Sequence, residues 1–480
     1  MSKNKTASGY LWSLLERFMS QGVTLIVSII LARLLAPSDY GTVAIVTIFT
    51  TLGITFVTAG FGAALVQMQN PEKEDYDTAF SLNLMIAVVL YALLFFIAPV
   101  IADFYDTPEL TKVLRIMSLI LPISAFSTIK YSYLQKQFKF KKYALVNLAG
   151  AIVSGIIGVV MAYLSFGVYA LVAQSLSKYL IDMIALFIVC PMKNRFYFSK
   201  QRCKTMFPFA SKVFFSSFVM NIEADVRGLV IGKKYTSSDL AYYNKAATFP
   251  RMIVMNTNGA VSRVLFPTIA DIQNDKEKTL KVIRKSVVMQ SFLIVPIIVG
   301  LMAVSRSFII TLLTEKWAPA IPFMYLICIT YLMMPYENTC KEALLGIGKS
   351  GTVFMDMLIT KSVSLATIIL ALVFTNSVHL VAVGGIVATV VSLVLYSNQM
   401  KKNFGYSLKN QFNDLFSAYA CSLVMGVAVF ALNYLYLAPW LTLIIQIPLG
   451  ILIYIVLAKV FRLKAMKSVI EMIKRRKNNG

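Results

Sequence analysis

The sequence predicts an all-α integral membrane protein. It calls for about fourteen transmembrane helices: two six-helix lobes in a parallel pseudo-repeat, plus two extra C-terminal helices. Three observations predict this. The first is composition: 480 residues, 58% hydrophobic and 14% charged, with a mean hydropathy of +0.72, against roughly 25% charged in a soluble domain. A water-soluble fold has too little interior for that apolar surface, so soluble enzymes, nucleic-acid binders and disordered chains are excluded. The second is a series of long apolar runs, and the third is an internal echo at an offset of 200 residues.

A helix needs about 20 mostly apolar residues to cross a bilayer. Such runs fall at about 10–35, 40–66, 78–102, 110–134, 143–164, 167–191, 207–231, 239–266, 285–304, 318–340, 353–375, 380–400, 415–436 and 440–459. The N-terminal run is interrupted by Glu16 and Arg17 and lacks a small-residue cleavage site, so it is expected to be retained rather than removed as a signal peptide. Connections such as Ala36-Pro37-Ser38-Asp39 leave room only for tight hairpins.

The basic residues test the count. With the N-terminus in the cytoplasm, the inside segments carry thirty Lys and Arg. The outside connections carry four: Lys233, Lys234, Arg306 and Lys316. This bias is the positive-inside rule, and it accounts for most of the +24 formal charge without a polyanionic ligand. Both termini are therefore expected in the cytoplasm. The tail cluster Lys474-Arg475-Arg476-Lys477 suits anionic lipid headgroups.

The echo runs from Ala36-Pro37-Ser38-Asp39-Tyr40-Gly41 to Thr236-Ser237-Ser238-Asp239-Leu240-Ala241. In both, Ser-Asp opens a helix with side-chain oxygens that can cap its free N–H groups. Arg33 and Lys233, Phe18 and Phe218, and Leu65 and Leu265 share the offset. Parallel repeats are a transporter architecture, with the substrate path between them. The expected divisions are 1–204, spans 1–6; 205–402, spans 7–12; and 403–480, spans 13–14 with a basic tail. No charge occurs from Leu415 to Ala458, which suits a lipid-facing pair.

Charged residues within a bilayer usually face a cavity or a partner. In span 8, Asn244, Thr248, Arg251, Asn258 and Ser262 share one helical face, broken only by Met255. Arg251 lies about 18 Å from the outer end of its helix, near the midplane. Beside it Pro250 removes a backbone hydrogen bond. In span 2 the equivalent face is Thr47, Thr51, Thr55, Thr58 and Gly62. Span 1 aligns Ser13, Arg17, Ser20, Thr24 and Ser28; span 7 carries Asn221, Glu223, Asp225 and Arg227. Several of these have a structural alternative. Membrane Thr and Ser often bond their own backbone. Glu223 with Arg227, and Lys178 with Asp182, are four apart and can neutralise each other. Arg33 can snorkel to the surface. Gly150, Ser154 and Gly158 suit a close helix contact.

Across spans 1, 7 and 8 the basic residues outnumber the acids, which favours an anion. Arginine suits phosphate because its planar fork donates two hydrogen bonds at once. The candidate substrate contacts are Arg17, Arg251, Arg227, Lys245, Thr51 and Asn258. The candidate ion-coupling carboxylates are Asp225, the freer one, and Glu223. Five cysteines without a CxxC pair, and a single histidine, His379, give no metal or catalytic centre.

The segment LARLLAPSDYGTVAIVTIF, from Leu31 to Phe49, and GFGAALVQ, from Gly60 to Gln67, resemble the polysaccharide transporter family. These are the Wzx-type flippases of O-antigen, capsule, colanic and teichuronic acid. They share a superfamily with the multidrug and toxic-compound exporters and the lipid II flippases. The resemblance covers the whole chain. It implies fourteen spans in a bacterial cytoplasmic membrane and export of an undecaprenyl-diphosphate-linked oligosaccharide by alternating access. It also implies arginines lining the cavity from spans 1 and 8, the spans that Arg17 and Arg251 occupy. Polymerases and glycosyltransferases are the partners it implies, with membrane lipid and no nucleic acid. No GxxxxGK[ST] loop appears, so the expectation is no cofactor, with a proton or sodium ion as coupling ion. An alternative within the same fold is a multidrug-type cation antiporter, which calls for an acidic binding lobe. An enzyme would need catalytic groups in sizeable loops, and the outer connection at 305–317 offers only Glu315 as an acid.

Overall fold

The computed structural model describes the backbone of residues 3–58, 60–463 and 465–466. It describes side chains from residue 19 onward, except at 59, 220 and 464. All regular structure among the described residues is helical. The chain divides into two compact units, one up to Ala241 and one from Tyr242.

The first unit holds α1 (Lys3–Leu34), α2 (Pro37–Thr58), α3 (Phe61–Gln67), α4 (Lys73–Phe104), α5 (Glu109–Met117), α6 (Ile120–Lys136), α7 (Phe140–Tyr163), α8 (Val168–Val189) and α9 (Lys200–Lys234). Helix α10 (Ser237–Ile272) leads into the second unit. There follow α11 (Lys276–Ala303), α12 (Ser305–Leu313), α13 (Ala320–Leu332), α14 (Met334–Gly346), α15 (Ser350–Phe374), α16 (Val378–Phe404), α17 (Leu408–Ala431) and α18 (Pro439–Val460).

Eleven stretches among the described residues are long and apolar enough to cross a membrane. The expected spans outside that set are 1, 7 and 8, which correspond to α1, α9 and α10. These helices run 32, 35 and 36 residues, ample length at about 1.5 Å per residue. Their polar residues set α9 and α10 apart, whereas the side chains of α1 are described only from Met19 onward. Three spans are broken where hydropathy runs on. Span 2 is α2 and α3, interrupted at Gly60; span 4 is α5 and α6, interrupted at Ser118; span 10 is α13 and α14, interrupted at Met333. In the last case Pro335 explains the break, since it cannot donate to the preceding turn.

Each of the two echoing hairpins holds a backbone N–H on an aspartate. The Asp39 carboxylate accepts the Ala36 N–H at 3.0 Å, and the Asp239 carboxylate accepts the Thr236 N–H at 3.1 Å. The small-residue face of α7 closes on α8 as expected: a side chain added at Gly150 would meet Asp182 Oδ1 at 2.0 Å, and one at Gly158 would meet Gln174 at 2.8 Å. The Lys178–Asp182 pair forms at 2.8 Å. All five cysteines are unpaired, four of them buried.

Each unit is pinned by an arginine near one end of its helices. In the first, Arg202 at the start of α9 binds Glu72, Glu74 and Asp75 at the start of α4, at 2.6, 2.9 and 2.9 Å. The hydrogen bonds it donates to Asp75 and Glu72 hold its pKa above the ordinary value. In the second, Arg284 on α11 grips Asp414 on α17 with two bonds of 2.6 and 2.9 Å, and the Tyr406 hydroxyl donates to the same carboxylate at 2.8 Å. Helix α18 joins through Tyr454, whose hydroxyl donates to the Phe292 carbonyl at 2.8 Å. The opposite faces of α17 and α18 leave Leu423, Val427, Ile444, Ile451 and Val456 exposed, as a lipid-facing pair requires.

Candidate functional site

Helix α9 packs along α2 within the first unit. Gly228 and Gly232 make the approach close. A side chain at Gly228 would meet Ile48 at 2.7 Å, and one at Gly232 would meet Ile45 at 3.1 Å. At one end Gly41 lies against the backbone of Ser237, where an added carbon would sit 1.9 Å from the carbonyl oxygen. At the other end the Phe56 and Phe214 rings stand 4.4 Å apart. The two hairpins that echo each other in sequence therefore touch in space.

These pairs run antiparallel. Between the glycine and phenylalanine contacts lie Thr51 and Thr55 of α2, and Asn221 and Asp225 of α9. The middle of the seam is thus polar between an apolar end and an aromatic one. Thr47, Thr55 and Thr58 each donate to a carbonyl one turn back, at 2.7, 2.9 and 2.9 Å. Their oxygens then face outward as acceptors. Thr51 is exposed. Asp225 is half-buried, and its Oδ2 is buried without a hydrogen bond. Glu223 and Arg227 are both buried and bonded to each other.

In the second unit α10 presents Asn244, Thr248, Arg251 and Met255 as an exposed row, with Asn258 and Ser262 half-buried beyond them. The other side of the same helix is buried: Ala246, Ala247, Val254 and Leu265. Thr248 donates to the Asn244 carbonyl at 2.9 Å. Ser262 faces Asn338 of α14 at 3.4 Å, and Asn258 Oδ1 is buried without a partner. Lys245 lies on the buried side, its ammonium 5.5 Å from the Trp317 ring centroid. Trp317 is fully buried, so the 305–317 connection folds back onto its own unit. The side chain of Arg17 lies outside the described residues.

The structure thus separates the called cations. Arg227 is buried with an acid and Lys245 is buried over an indole, whereas Arg251 stands exposed on a polar row. The sequence reading missed the Gly228–Gly232 contact, although the four-residue spacing of small residues is visible in the chain. It also missed the Arg202 and Arg284 clusters, whose partners lie 127 to 130 residues away.

A family model described as polysaccharide biosynthesis protein matches residues 30–322. The chain belongs to that family. It is 29% identical to the succinoglycan biosynthesis transport protein ExoT of Rhizobium meliloti, over 72% of this chain and 70% of that one. It is 26% identical to the teichuronic acid biosynthesis protein TuaB of Bacillus subtilis, over 78% of each. It is 22% identical to the lipopolysaccharide biosynthesis protein WzxC of Escherichia coli, over 90% of this chain and 88% of that one. Among solved structures, the lipid II flippase MurJ in an inward closed conformation superposes with a TM-score of 0.77 at 18% identity, covering 94% of this chain and 98% of that one. An inward-facing multidrug resistance MATE transporter superposes at 0.62 with 14% identity, covering 82% and 98%. The fold is therefore that of these multi-pass membrane transporters.

Proposed function

We propose that the chain is a flippase for an undecaprenyl-diphosphate-linked oligosaccharide in a bacterial cytoplasmic membrane. It moves the substrate from the cytoplasmic to the outer leaflet by alternating access. The family and the transport named for a relative support polysaccharide precursors as the cargo class. On this reading α1, α9 and α10 also cross the bilayer, giving fourteen spans with both termini in the cytoplasm, and the repeat divides the chain near residues 204 and 402. Polymerases and glycosyltransferases would consume and supply the cargo.

One observation carries the reading: Arg251 is exposed on a polar row of α10, whereas Arg227 of α9 is buried against Glu223 and Lys245 of α10 is buried near Trp317. An exposed guanidinium at mid-helix depth is expensive in hydrocarbon. It suits a water-filled path crossed by a diphosphate, to which it can donate two hydrogen bonds. Arg17 on α1 is the second diphosphate contact, with Thr51 and Asn258 as polar neighbours along the path. Asp225 is the coupling group for a proton or sodium ion.

The test is polymer export in a deletion strain. Arg251→Ala should abolish export at normal protein level, and Arg251→Lys should restore part of it. Normal export by Arg251→Ala at equal expression would overturn the assignment. In proteoliposomes, Asp225→Asn should remove the response to an imposed ion gradient; a full response places coupling elsewhere.

A further inference from the structure

The first unit contains a cavity of about 470 Å³ that the diphosphate reading leaves unused. Its walls come from α2, α3, α6, α7 and α8, and its volume lies in the range of small-molecule sites. The hydroxyls of Thr58, Ser124, Thr128 and Ser132 line it. Each donates its proton to a carbonyl of its own helix, at 2.9, 2.7, 2.7 and 3.1 Å. A hydroxyl has one proton and two lone pairs, so these four groups offer the cavity acceptors only. Asp182 lines the same cavity. Its Oδ2 is held by Lys178 at 2.8 Å, while Oδ1 is buried against Tyr131 and Gly150. Asp182 itself is 5% exposed.

Gln67 and Gln135 also line the wall, and their amides both donate and accept, so the cavity suits a ligand that carries acceptors and donors together. A diphosphate has no donors to give at neutral pH, and the carboxylate repels it. A simple cation is disfavoured because Lys178 already balances the charge of Asp182. A neutral polyol meets both conditions: its hydroxyls donate to the Ser and Thr oxygens and accept from the amides. Tyr179, with the other tyrosines of the wall, can cover the C–H face of a pyranose ring. Thr58 is also the last hydroxyl of the α2 row, so the row runs into this cavity.

We infer that this cavity binds a neutral sugar residue of the cargo, separately from the arginine that takes the diphosphate. The inference rests on the flippase reading. On the proposed topology the cavity lies in the cytoplasmic half of the first unit, where the cargo enters.

The probes are undecaprenyl diphosphate and the lipid-linked repeat unit that accumulates in a strain lacking this chain. Binding of each to purified protein is measured by native mass spectrometry. Two or three net hydrogen bonds are worth about thirty- to hundredfold in affinity, so the wild type should prefer the sugar-bearing lipid by about that factor. Thr58→Val with Thr128→Val, which keeps volume and deletes the hydroxyls, should remove the preference. Thr128→Trp, which fills the cavity, should do the same. Retained binding of bare undecaprenyl diphosphate reports that each variant is folded. A wild type without the preference, or a preference unchanged in both variants, overturns the sugar site. A wild type that binds neither lipid overturns the flippase reading itself.

Discussion

Helices α2 and α10 begin alike and end up doing different work. Both open on a turn capped by an aspartate, Asp39 or Asp239, and both carry a polar row at matching positions. The row of α2 is threonine throughout and neutral, and α9 lies along that helix through Gly228 and Gly232. The row of α10 holds Arg251, and its central part is exposed. The contrast shows which part of the repeat is structural. Caps and turn geometry are shared because each helix needs its first N–H groups satisfied. The polar rows themselves have diverged, so that one helix carries hydroxyl oxygens and the other a guanidinium.

The largest effect should come from erasing that contrast. Arg251→Thr makes α10 imitate α2 at the position of the polar row where they differ in charge. A hydrogen bond to a charged group is worth about 1.5–3 kcal/mol, so export should fall by about ten- to a hundredfold. Thr51→Arg adds the cation to the wrong row and should not rescue it in the double variant. Rescue there would show that the path needs only a cation at that depth and not a particular wall. The readout is polymer output normalised to protein level.

Next in size is the seam itself. Gly41→Val places a carbon against the Ser237 carbonyl, a backbone atom that cannot rotate away. Gly228→Ala meets only the end of the Ile48 side chain. Overpacking costs about 1–3 kcal/mol, and Gly41→Val should sit at or above the top of that range with Gly228→Ala near the bottom. Apparent melting temperatures of the detergent-solubilised variants rank them. A larger loss in Gly228→Ala would mean that the middle of the seam, not the hairpin contact, holds α2 and α9 together.

This ranking also marks what the sequence could show. The polar rows were legible because a 3.6-residue period survives any packing, and the aspartate caps were legible because capping is local. The break between α13 and α14 was not, because hydropathy averages over the kink before Pro335. The contact of Gly41 with Ser237 was half visible: the echo announced the two turns, but nothing in a linear reading says that repeated elements touch. The Arg284–Asp414 pair was hidden by distance along the chain. Lys245 shows the limit most directly. By charge it belonged with Arg251, but it lies six residues earlier, on the buried side of α10, where Trp317 faces it.

The smallest effects should come from the shared caps, and they separate the two copies more finely. Removing an N-terminal cap costs about 0.5–2 kcal/mol. The caps are not built alike. In the first hairpin the Asp39 carboxylate alone holds the Ala36 N–H. In the second, Asp239 also takes the Thr236 hydroxyl at 2.7 Å, and Thr236 Oγ accepts the Asp239 N–H at 3.1 Å. That last bond uses the backbone of residue 239, so it survives Asp239→Ala, and the freed threonine proton can turn to water. Asp39→Ala should therefore lower the apparent melting temperature more than Asp239→Ala. Thr236→Val with Asp239→Ala should bring the second hairpin down to the level of the first. Equal losses from the two single variants would mean that the threonine adds nothing and that the caps, unlike the rows, have not diverged.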